Sequence, residues 1–335
     1  MRAEEPSRQL ASGVILVTGA SGFVGSHLAR ALLDGGATVR GLVRGSPGAL
    51  PHGVAGVSGD LADIEAVRAA LQGVDTVVHA AGLAHLRRPR RAGEAFQRVN
   101  VGGTRVLLSE SARAGVRQFV FLSSIAAVGS GNDGRVDDMT VPAPVSPYGA
   151  SKLEAERLVA AATRQDGLRA TVFRLPLVYG PGMKGNPLRL FDMVSSGLPL
   201  PLGSVANRRS LLYVGNLSAA LLAVLAGPAP AAGSVATYLV ADREVVSTPE
   251  LVRHIAYALR RTPRLVPFPV WLARLIGRVG DRFPLGIDSA GVAGLVDSLV
   301  LDTAALRRIG FEPPLTQAEG LACTGAWYCQ RTRQP

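Results

Sequence analysis

Two side chains with acid–base potential, Tyr148 and Lys152, lie four residues apart in the segment PYGASK. In a helix this spacing is one turn, so both side chains share a face. A phenol is a weak acid and base at neutral pH, and a nearby ammonium lowers its pKa by favouring the phenolate. Only two of the 36 basic residues are lysines, Lys152 and Lys184. The pattern predicts that Tyr148 exchanges a proton with substrate, while Lys152 tunes it and holds a ribose hydroxyl.

A pair of serines precedes this segment, at the end of a strand predicted over residues 118–123. Ligands of open parallel sheets bind at the carboxyl ends of the strands. The hydroxyl of Ser123 or Ser124 at that edge can hydrogen-bond a substrate carbonyl or hydroxyl beside Tyr148. Together these groups predict chemistry at a ketone or a secondary alcohol.

The segment TGASGFVG, residues 18–25, follows the first predicted strand and opens a helix. In dinucleotide-binding folds, spaced glycines allow a tight turn, admit a pyrophosphate to the backbone N–H groups and let the helix pack closely. Gly19, Gly22 and Gly25 have this spacing here. The alternative is a tight turn with no ligand. The strand before it and the helix after it favour a pyrophosphate site.

Residues after the second and third predicted strands could also contact a dinucleotide cofactor. NAD-binding proteins usually carry an acid at the end of the second strand, whereas this chain has Arg44. A guanidinium fork suits a 2′-phosphate, which favours NADP(H) over NAD(H) as the cofactor. A solvated arginine is the alternative reading. After the third strand, Asp60 and Leu61 stand where a carboxylate can accept from the adenine amino group.

The elements that position these groups alternate between apolar runs and amphipathic segments. Strands are predicted at residues 13–18, 38–43, 54–58, 76–79, 118–123 and 169–174. Helices are predicted at residues 23–33, 64–71, 92–114 and 148–163, with Gly102-Gly103 interrupting the third. This alternation predicts an α/β fold, a Rossmann-type doubly wound parallel sheet with helices on both faces.

The regular alternation of strands and helices ends after residue 175, and residues 176–203 are rich in proline and glycine. Shorter elements follow: strands at 211–214 and near 237–240, and helices from Asn216 and Glu250. We expect a polar N-terminal tail at 1–12, an NAD(P)-binding Rossmann domain at 13–175 and a smaller C-terminal substrate-binding lobe at 176–335. Some strands and helices of the lobe are expected to return to the Rossmann core.

Composition excludes several classes of protein. The 335 residues are 47% apolar and 18% charged, unlike a disordered chain, and the 5% aromatic content argues against base-stacking platforms. The net charge of +11 comes mostly from arginine, in a chain also rich in alanine and glycine. We therefore expect no nucleic-acid partner, although the charge favours small anionic ligands.

Cysteine, histidine and hydropathy patterns bear on location. Cys323 and Cys329 are too few for a disulfide framework and are typical of a reduced cytoplasmic protein. No histidine pair has metal-ligand spacing, so we predict no metal. Residues 1–12 lack the apolar stretch of a signal peptide, and no uncharged apolar run reaches about 18 residues. We expect a cytoplasmic protein without a membrane partner.

These motifs resemble those of the extended short-chain dehydrogenases/reductases, the NAD(P)-dependent epimerase/dehydratase group, over nearly the whole chain. Further matches are VHAA at 78–81, Asn100 within RVNV, VYGP at 178–181, and RLP at 174–176, where the family usually has Arg-Pro-Pro. The resemblance implies catalytic roles for Ser124, Tyr148 and Lys152. It implies cofactor contacts from Gly19, Ser21, Gly22, Phe23, Val24, Gly25, Arg44, Asp60, Leu61, Ala80, Ala81, Ser123, Tyr148, Lys152 and Pro176.

The second half is most similar to nucleotide-sugar 4-epimerases and 4-ketosugar reductases, in residues 182–186, 207–214 and 246–251. This implies that Asn186 and Arg209 contact a substrate diphosphate, with Ser124 and Tyr148 at the reacting carbon. An arginine without a ligand is the alternative for Arg209.

Residues 38–44 are closer to the NADPH-dependent reductases of the family than to its epimerases, which usually have Asp at the second strand's end. We expect reduction of a nucleotide-linked 4-ketosugar by NADPH, or its 4-epimerisation. A reductase of a non-sugar ketone is the alternative. A non-catalytic NADP(H)-binding regulatory protein is a third hypothesis, disfavoured by the intact Ser/Tyr/Lys set.

Four further features of the sequence call for an interpretation. The basic loop Arg87–Arg91 could attract a diphosphate, but a solvated loop is favoured. His79 is expected to be structural. The basic amphipathic segment 271–283 is expected to pack on the substrate lobe rather than on a membrane surface. Helices 92–114 and 148–163 are expected to form a homodimer interface, as the resemblance implies.

Overall fold

The computed structural model describes residues 13–84, 92–131, 133–283 and 288–333. Its strands are, in chain order, β1 (Val14–Thr18), β2 (Thr38–Val43), β3 (Ala55–Ser58), β4 (Val74–His79), β5 (Gln118–Ser124), β6 (Arg135–Val136), β7 (Arg169–Leu175), β8 (Leu177–Tyr179), β9 (Arg209–Tyr213), β10 (Val235–Leu239), β11 (Val245–Val246) and β12 (Val300–Leu301).

Seven of these strands form the main sheet, in the order β10-β7-β5-β4-β1-β2-β3, and every neighbouring pair is parallel. From β1 the chain adds β2 and β3 on one side, then returns to place β4, β5, β7 and β10 on the other. The predicted doubly wound parallel sheet is therefore confirmed, with its change of direction between β1 and β4.

The described helices are α1 (Phe23–Asp34), α2 (Ile64–Leu71), α3 (Ala92–Phe96), α4 (Gly103–Arg113), α5 (Pro147–Asp166), α6 (Asn186–Ser195), α7 (Val214–Ala226), α8 (Thr248–Ala258), α9 (Val270–Gly280), α10 (Ser289–Val296), α11 (Ala304–Arg308) and α12 (Gln317–Arg333). Residues of α1 and α7 pack with one face of the main sheet, and residues of α2, α4 and α5 pack with the other. Both faces are covered because side chains alternate across buried strands such as β1, where Leu16 and Val17 enter different cores.

One local prediction is wrong. Gly102 and Gly103 do not interrupt the helix predicted over 92–114, because both glycines keep right-handed helical backbone. A π-helical stretch, Gln97–Gly102, joins α3 to α4, and the Gly103 N–H donates to the carbonyl of Arg98 five residues earlier. A π-helical turn absorbs the extra residue without ending the helix.

In the second half of the chain, β9 starts at Arg209 and α7 at Val214, each two residues earlier than predicted. The start of α8 agrees with the helix-start signal Ser247-Thr248-Pro249, since α8 begins at Thr248 and Ser247 and Glu250 form a capping box. β8, β9 and β11 make a small separate sheet, and the surrounding elements have their own apolar core. As expected, α7 and β10 return to the main sheet.

Among the helices of the described residues, none is long and apolar enough to cross a membrane. The same part of the chain holds no group of three or more His, Cys, Asp or Glu residues placed to share a metal ion.

Candidate active site

The candidate site lies at the carboxyl edge of the main sheet, between the neighbouring parallel strands β1 and β4. After β1 the chain continues to one side of the sheet, and after β4 it continues to the other. Such a switch point leaves a crevice between the loops that follow the two strands. Gly19 follows β1 with φ +70°, and a Cβ there would lie 2.8 Å from the Ala81 nitrogen after β4. Only glycine suits this backbone and this close approach. The predicted residues Gly19, Ala80 and Ala81 therefore meet in one place.

The glycine turn ends in the N-terminus of α1. The Gly22 N–H donates to the Gly19 carbonyl at 2.9 Å, and α1 starts at Phe23 with no side-chain cap at Gly22 among the described contacts. Its first backbone N–H groups are thus available to an anion, and the helix dipole favours one. Ser21 is exposed on the turn, with Val24 half-buried behind it. This local geometry fits a pyrophosphate.

A buried chain of hydroxyls fixes the two strand ends against each other. Thr18 Oγ1 accepts from the Ala81 N–H at 3.2 Å and lies 2.7 Å from His79 Nδ1. His79 Nε2 lies 2.9 Å from Thr104 Oγ1, which donates to the Asn100 carbonyl. Because the Thr104 hydroxyl donates its hydrogen to the Asn100 carbonyl, it can only accept from His79. His79 therefore carries its proton on Nε2, and its Nδ1 accepts from the Thr18 hydroxyl.

His79 is therefore a structural residue, as the sequence predicts. Its ring is buried against Phe119 and Phe121. Burial lowers its pKa to about 3, and the charge of Lys152 adds to the effect. The neutral ring serves as a rigid spacer that positions Ala81.

Asn100 ties the loop after β4 to α5. Its side-chain oxygen accepts from the Leu83 N–H at 2.8 Å, and its amide donates to the Leu83 carbonyl and to Ser151 Oγ, each at 3.0 Å. Ser151 in turn donates to the Tyr148 carbonyl at 2.7 Å. The π-helical stretch thus presents an amide that couples the cofactor-side loop to the helix carrying Tyr148.

Local sequence sets the position of α5. Ser146 caps the helix by accepting from the Gly149 N–H at 3.0 Å, and Pro147 occupies its first turn. A Cβ on Gly149 would collide with the Ala126 carbonyl. The glycine therefore lets the start of α5 pack directly on the 3₁₀ turn that follows Ser124.

This packing brings together the three predicted catalytic residues. Ser124 ends β5 close to the half-buried phenol of Tyr148, and its Oγ accepts from the Ala126 N–H at 3.2 Å. Lys152 lies one turn further along α5, fully enclosed, with its Nζ donating to the Leu122 carbonyl at 2.6 Å and 4.3 Å from the centre of the Phe121 ring. A hydroxyl, a phenol and an ammonium therefore converge on one strand end.

The electrostatics differ in one respect from the sequence-based prediction. Burial raises the pKa of Tyr148, and the nearby hydroxyl of Ser124 offsets this only in part. The expected lowering by Lys152 is not a feature of this structure, because the ammonium is directed to the Leu122 carbonyl. Burial lowers the pKa of Lys152 itself to about 8, against the opposing negative charge of Glu156.

The side chain of Ser123 is engaged within the protein. Its hydroxyl donates to Glu156, which forms a forked ion pair with Arg174, at 2.8 Å from Nη2. Ser124, the last residue of β5, lies beyond Ser123 toward Tyr148 at the start of α5. A cofactor contact from Ser123 would have to come from its backbone. Glu156 was missed by sequence reasoning, although it stands one helical turn after Lys152.

The remaining predicted cofactor positions lie along the same edge. Arg44 is exposed just beyond β2, and among the described residues it forms no ion pair. Asp60 is exposed and accepts from the Ala62 N–H at 2.9 Å, while Leu61 is buried beneath it. Pro176 is buried between β7 and β8.

The two predicted substrate contacts lie in the second half of the chain. Asn186 is exposed at the start of α6, and Arg209 begins β9 with its Nη1 donating to the Asp297 carbonyl at 3.0 Å. Burial lowers the pKa of Arg209, against the opposing charge of Asp297. No described contact joins Asn186 to Arg209. The basic loop Arg87–Arg91 lies outside the described residues.

A parallel sheet with a glycine turn after β1 and Ser124, Tyr148 and Lys152 at its carboxyl edge defines an enzyme of the short-chain dehydrogenase/reductase class. The family described as NAD dependent epimerase/dehydratase matches residues 15–238. The chain belongs to this NAD-dependent epimerase/dehydratase family.

Individual relatives agree with that assignment. The chain is 33% identical to a UDP-glucose 4-epimerase of Vibrio cholerae, covering 94% of this chain and 95% of that protein. It is 32% identical to a 3 beta-hydroxysteroid dehydrogenase/Delta 5-->4-isomerase of Mycobacterium tuberculosis, covering 92% and 88%. A solved UDP-glucose 4-epimerase of Thermus thermophilus, in complex with NAD, superposes with a TM-score of 0.77 at 26% identity, covering 94% and 99%.

Proposed function

We propose that Tyr148 is the general acid/base of a hydride-transfer enzyme acting on a nucleotide-linked 4-ketosugar or its alcohol. The observation that carries this is the placement of Tyr148 at the start of α5 close to Ser124 at the end of β5, with Lys152 one turn away. Ser124 orients the reacting oxygen. Tyr148 donates its phenolic proton to that oxygen on reduction and takes it back on oxidation.

A nicotinamide dinucleotide, when bound, supplies or accepts the hydride. The residues present fit such a group: the first N–H groups of α1 would hold its pyrophosphate, and the Lys152 ammonium would hold its ribose hydroxyls. The proton from Tyr148 and the hydride together convert a ketone to a secondary alcohol, which balances the step. A 4-epimerisation needs the same proton transfer in both directions.

NADP(H) remains the favoured cofactor in this proposal, with NAD(H) as the alternative. Arg44 supports NADP(H), because its exposed guanidinium beyond β2, which has no ion-pair partner among the described residues, suits a 2′-phosphate. The solved relative that contains NAD supports the alternative.

The substrate proposal rests on the nucleotide-sugar relatives and on Arg209. The half-buried guanidinium of Arg209 would be stabilised by an anionic partner such as a diphosphate. Reduction of a non-sugar ketone is the second candidate, and the 32% identity to a 3 beta-hydroxysteroid dehydrogenase favours considering it.

The test begins with denaturing freshly purified protein and identifying any released nucleotide. The protein is then assayed for interconversion of UDP-glucose and UDP-galactose, and for oxidation of NADPH by UDP-4-ketosugars and by steroid ketones. Stoichiometric NAD with sugar interconversion would establish an epimerase and contradict the NADP(H) preference. An empty site that binds NADPH more tightly than NADH would establish a reductase. Binding of neither dinucleotide would contradict the proposal.

We also infer a homodimer that pairs α4 and α5 of each copy. The two helices lie side by side on one face of the main sheet. Light scattering should give twice the chain mass, and a monomer at every concentration would contradict the inference. The cytoplasmic location stays a prediction.

A further inference from the structure

Helix α9 packs on the rest of the protein by one side only. Gly277 is its buried residue, and a Cβ there would lie 3.0 Å from Ser289 and Val292. Val270 and Ala273 pack against the apolar core of the second half. Because helical residues three and four apart share a face, these three residues define the inner side of α9. The expected packing of segment 271–283 on the substrate lobe thus applies to this side.

The opposite side of α9 is apolar and exposed. Trp271, Leu275 and Val279 stand four residues apart and are 69%, 47% and 42% exposed. Ile276 lies beside them, and Phe283, just beyond the helix, is 59% exposed. We call these five residues the α9 apolar face. A contiguous exposed apolar patch on a protein of this kind usually marks a contact surface.

Two exposed arginines border this face. Arg278 and Arg282 are exposed, and among the described residues neither forms an ion pair. Arg274 is paired with Asp297 at 2.7 Å. The acid of this segment, Asp281, is engaged by the backbone and hydroxyl of Ser289. The face therefore presents a tryptophan and aliphatic side chains beside unpaired arginines.

We propose that the α9 apolar face binds the surface of an anionic lipid bilayer, with α9 lying in the plane of the interface. An interfacial helix needs an apolar side that enters the acyl boundary and basic side chains that meet anionic headgroups. Trp271 supplies an amphipathic ring at that depth, and the arginine stems can extend to the headgroups.

Charge argues for a lipid surface over a second copy of the chain. A two-fold interface would bring the same patch of each copy together. Arg278 and Arg282 would then face their own counterparts, and the nearest acid, Asp281, is engaged by Ser289 of α10. Anionic headgroups provide the complementary charge. The proposal adds a membrane surface where sequence alone predicts no membrane partner, and it requires no membrane-spanning helix.

The surface is physically connected to a predicted substrate contact. Asp297 binds Arg274 of α9 through its carboxylate and Arg209 through its carbonyl, at 2.7 and 3.0 Å. When α9 lies on a bilayer, the contacts of Asp297 would therefore keep Arg209 in a fixed position relative to that helix. Lipid binding itself does not depend on the proposed catalytic function.

The first test is flotation of the full-length protein with mixed phosphatidylcholine–phosphatidylglycerol vesicles and with pure phosphatidylcholine vesicles, without substrate or cofactor. We expect binding to the mixed vesicles that weakens with salt. The variants Leu275→Gln/Val279→Gln and Arg278→Gln/Arg282→Gln should each lose binding by about tenfold or more. These side chains are exposed, so the melting temperature should not change.

Matched controls separate this face from general effects. Ile64→Gln/Ile309→Gln removes equally exposed apolar side chains elsewhere, and Arg30→Gln/Arg164→Gln removes the same charge elsewhere. Both should bind as the wild type does. In Trp327→Phe, which leaves Trp271 as the single tryptophan, brominated lipids should quench the fluorescence.

Three results would overturn the proposal. They are no preference for anionic vesicles, undiminished binding of both α9 variants, or concentration-dependent self-association that the same variants abolish. The last would assign the face to contact between copies. Because these readouts involve no turnover, their failure is distinguishable from failure of the proposed catalytic function.

Discussion

The Ser123 hydroxyl donates a hydrogen bond to Glu156 of α5, while its neighbour Ser124 ends β5 close to Tyr148. Glu156 is paired with the buried Arg174 on one side and raises the pKa of Lys152 on the other. The pair therefore links the strand end carrying Ser124 to the charge state of Lys152.

Removing the Glu156 carboxylate should change both the stability of the protein and the pKa of Lys152. Glu156→Gln leaves Arg174 buried without a counter-charge, and we expect it to lower the free energy of unfolding by about 3–5 kcal/mol, as urea denaturation can measure. Loss of the negative charge should also lower the pKa of Lys152 further. Glu154→Gln, on the same helix and more exposed, is the matched control. Equal stability of the two variants would contradict a structural role for the Glu156–Arg174 pair.

Cofactor affinity should depend on the protonation of Lys152. Burial lowers its pKa to about 8, so the free protein holds the ammonium below that pH and loses it above. If the ammonium binds the ribose hydroxyls, dinucleotide affinity measured by calorimetry should fall as the pH rises through about 8. Lys152→Met should bind weakly, with no such dependence. Lys184→Met, which changes the other lysine, should keep the wild-type profile, and a flat wild-type profile would count against the assignment.

His79 should make the protein less stable in mild acid. Its pKa is lowered from 6.5 to about 3 in the folded protein. Between these values the unfolded chain binds a proton that the folded protein excludes, so stability falls as the pH drops. The slope from this residue is about 1.4 kcal/mol per pH unit. Urea denaturation between pH 7.5 and 5 should show a smaller loss for His79→Asn than for the wild type or the exposed-residue control His52→Asn, and equal losses would contradict a neutral buried His79.

Arg44 should decide which dinucleotide binds. Arg44→Asp removes a 2′-phosphate partner and adds an acceptor for a 2′-hydroxyl, so the ratio of NADPH to NADH affinity should fall by about tenfold or more. Arg30→Asp makes the same charge change on the exposed side of α1 and should leave the ratio unchanged. An unaltered ratio in Arg44→Asp would mean that the 2′-phosphate is not read there.

Local spacing made much of this site predictable. The glycine turn, the one-turn separation of Tyr148 and Lys152, and the strand end at Ser124 are each contained within a few residues. The alternation of strands and helices was sufficient for the parallel doubly wound sheet. Family resemblance then supplied positions such as Ala80 and Ala81.

What sequence could not give depends on long-range packing. The Ser123–Glu156–Arg174 contacts join residues 18 to 33 positions apart, so they could not be read from local spacing. Consecutive glycines such as Gly102-Gly103 usually predict an interruption of a helix, but here the π-helical stretch keeps both in helical backbone. The exposed side of α9 also required the fold, since an amphipathic pattern does not say which side is covered.

The most direct test of the central claim is single-turnover hydride transfer in Tyr148→Phe, with whichever UDP-sugar or ketone the wild-type protein turns over. Loss of the phenolic proton should slow the transfer by about 10²- to 10⁴-fold while dinucleotide affinity stays unchanged. Tyr257→Phe, which alters an exposed tyrosine, should react as the wild type does. Hydride transfer at the wild-type rate in Tyr148→Phe would show that Tyr148 is not the acid/base.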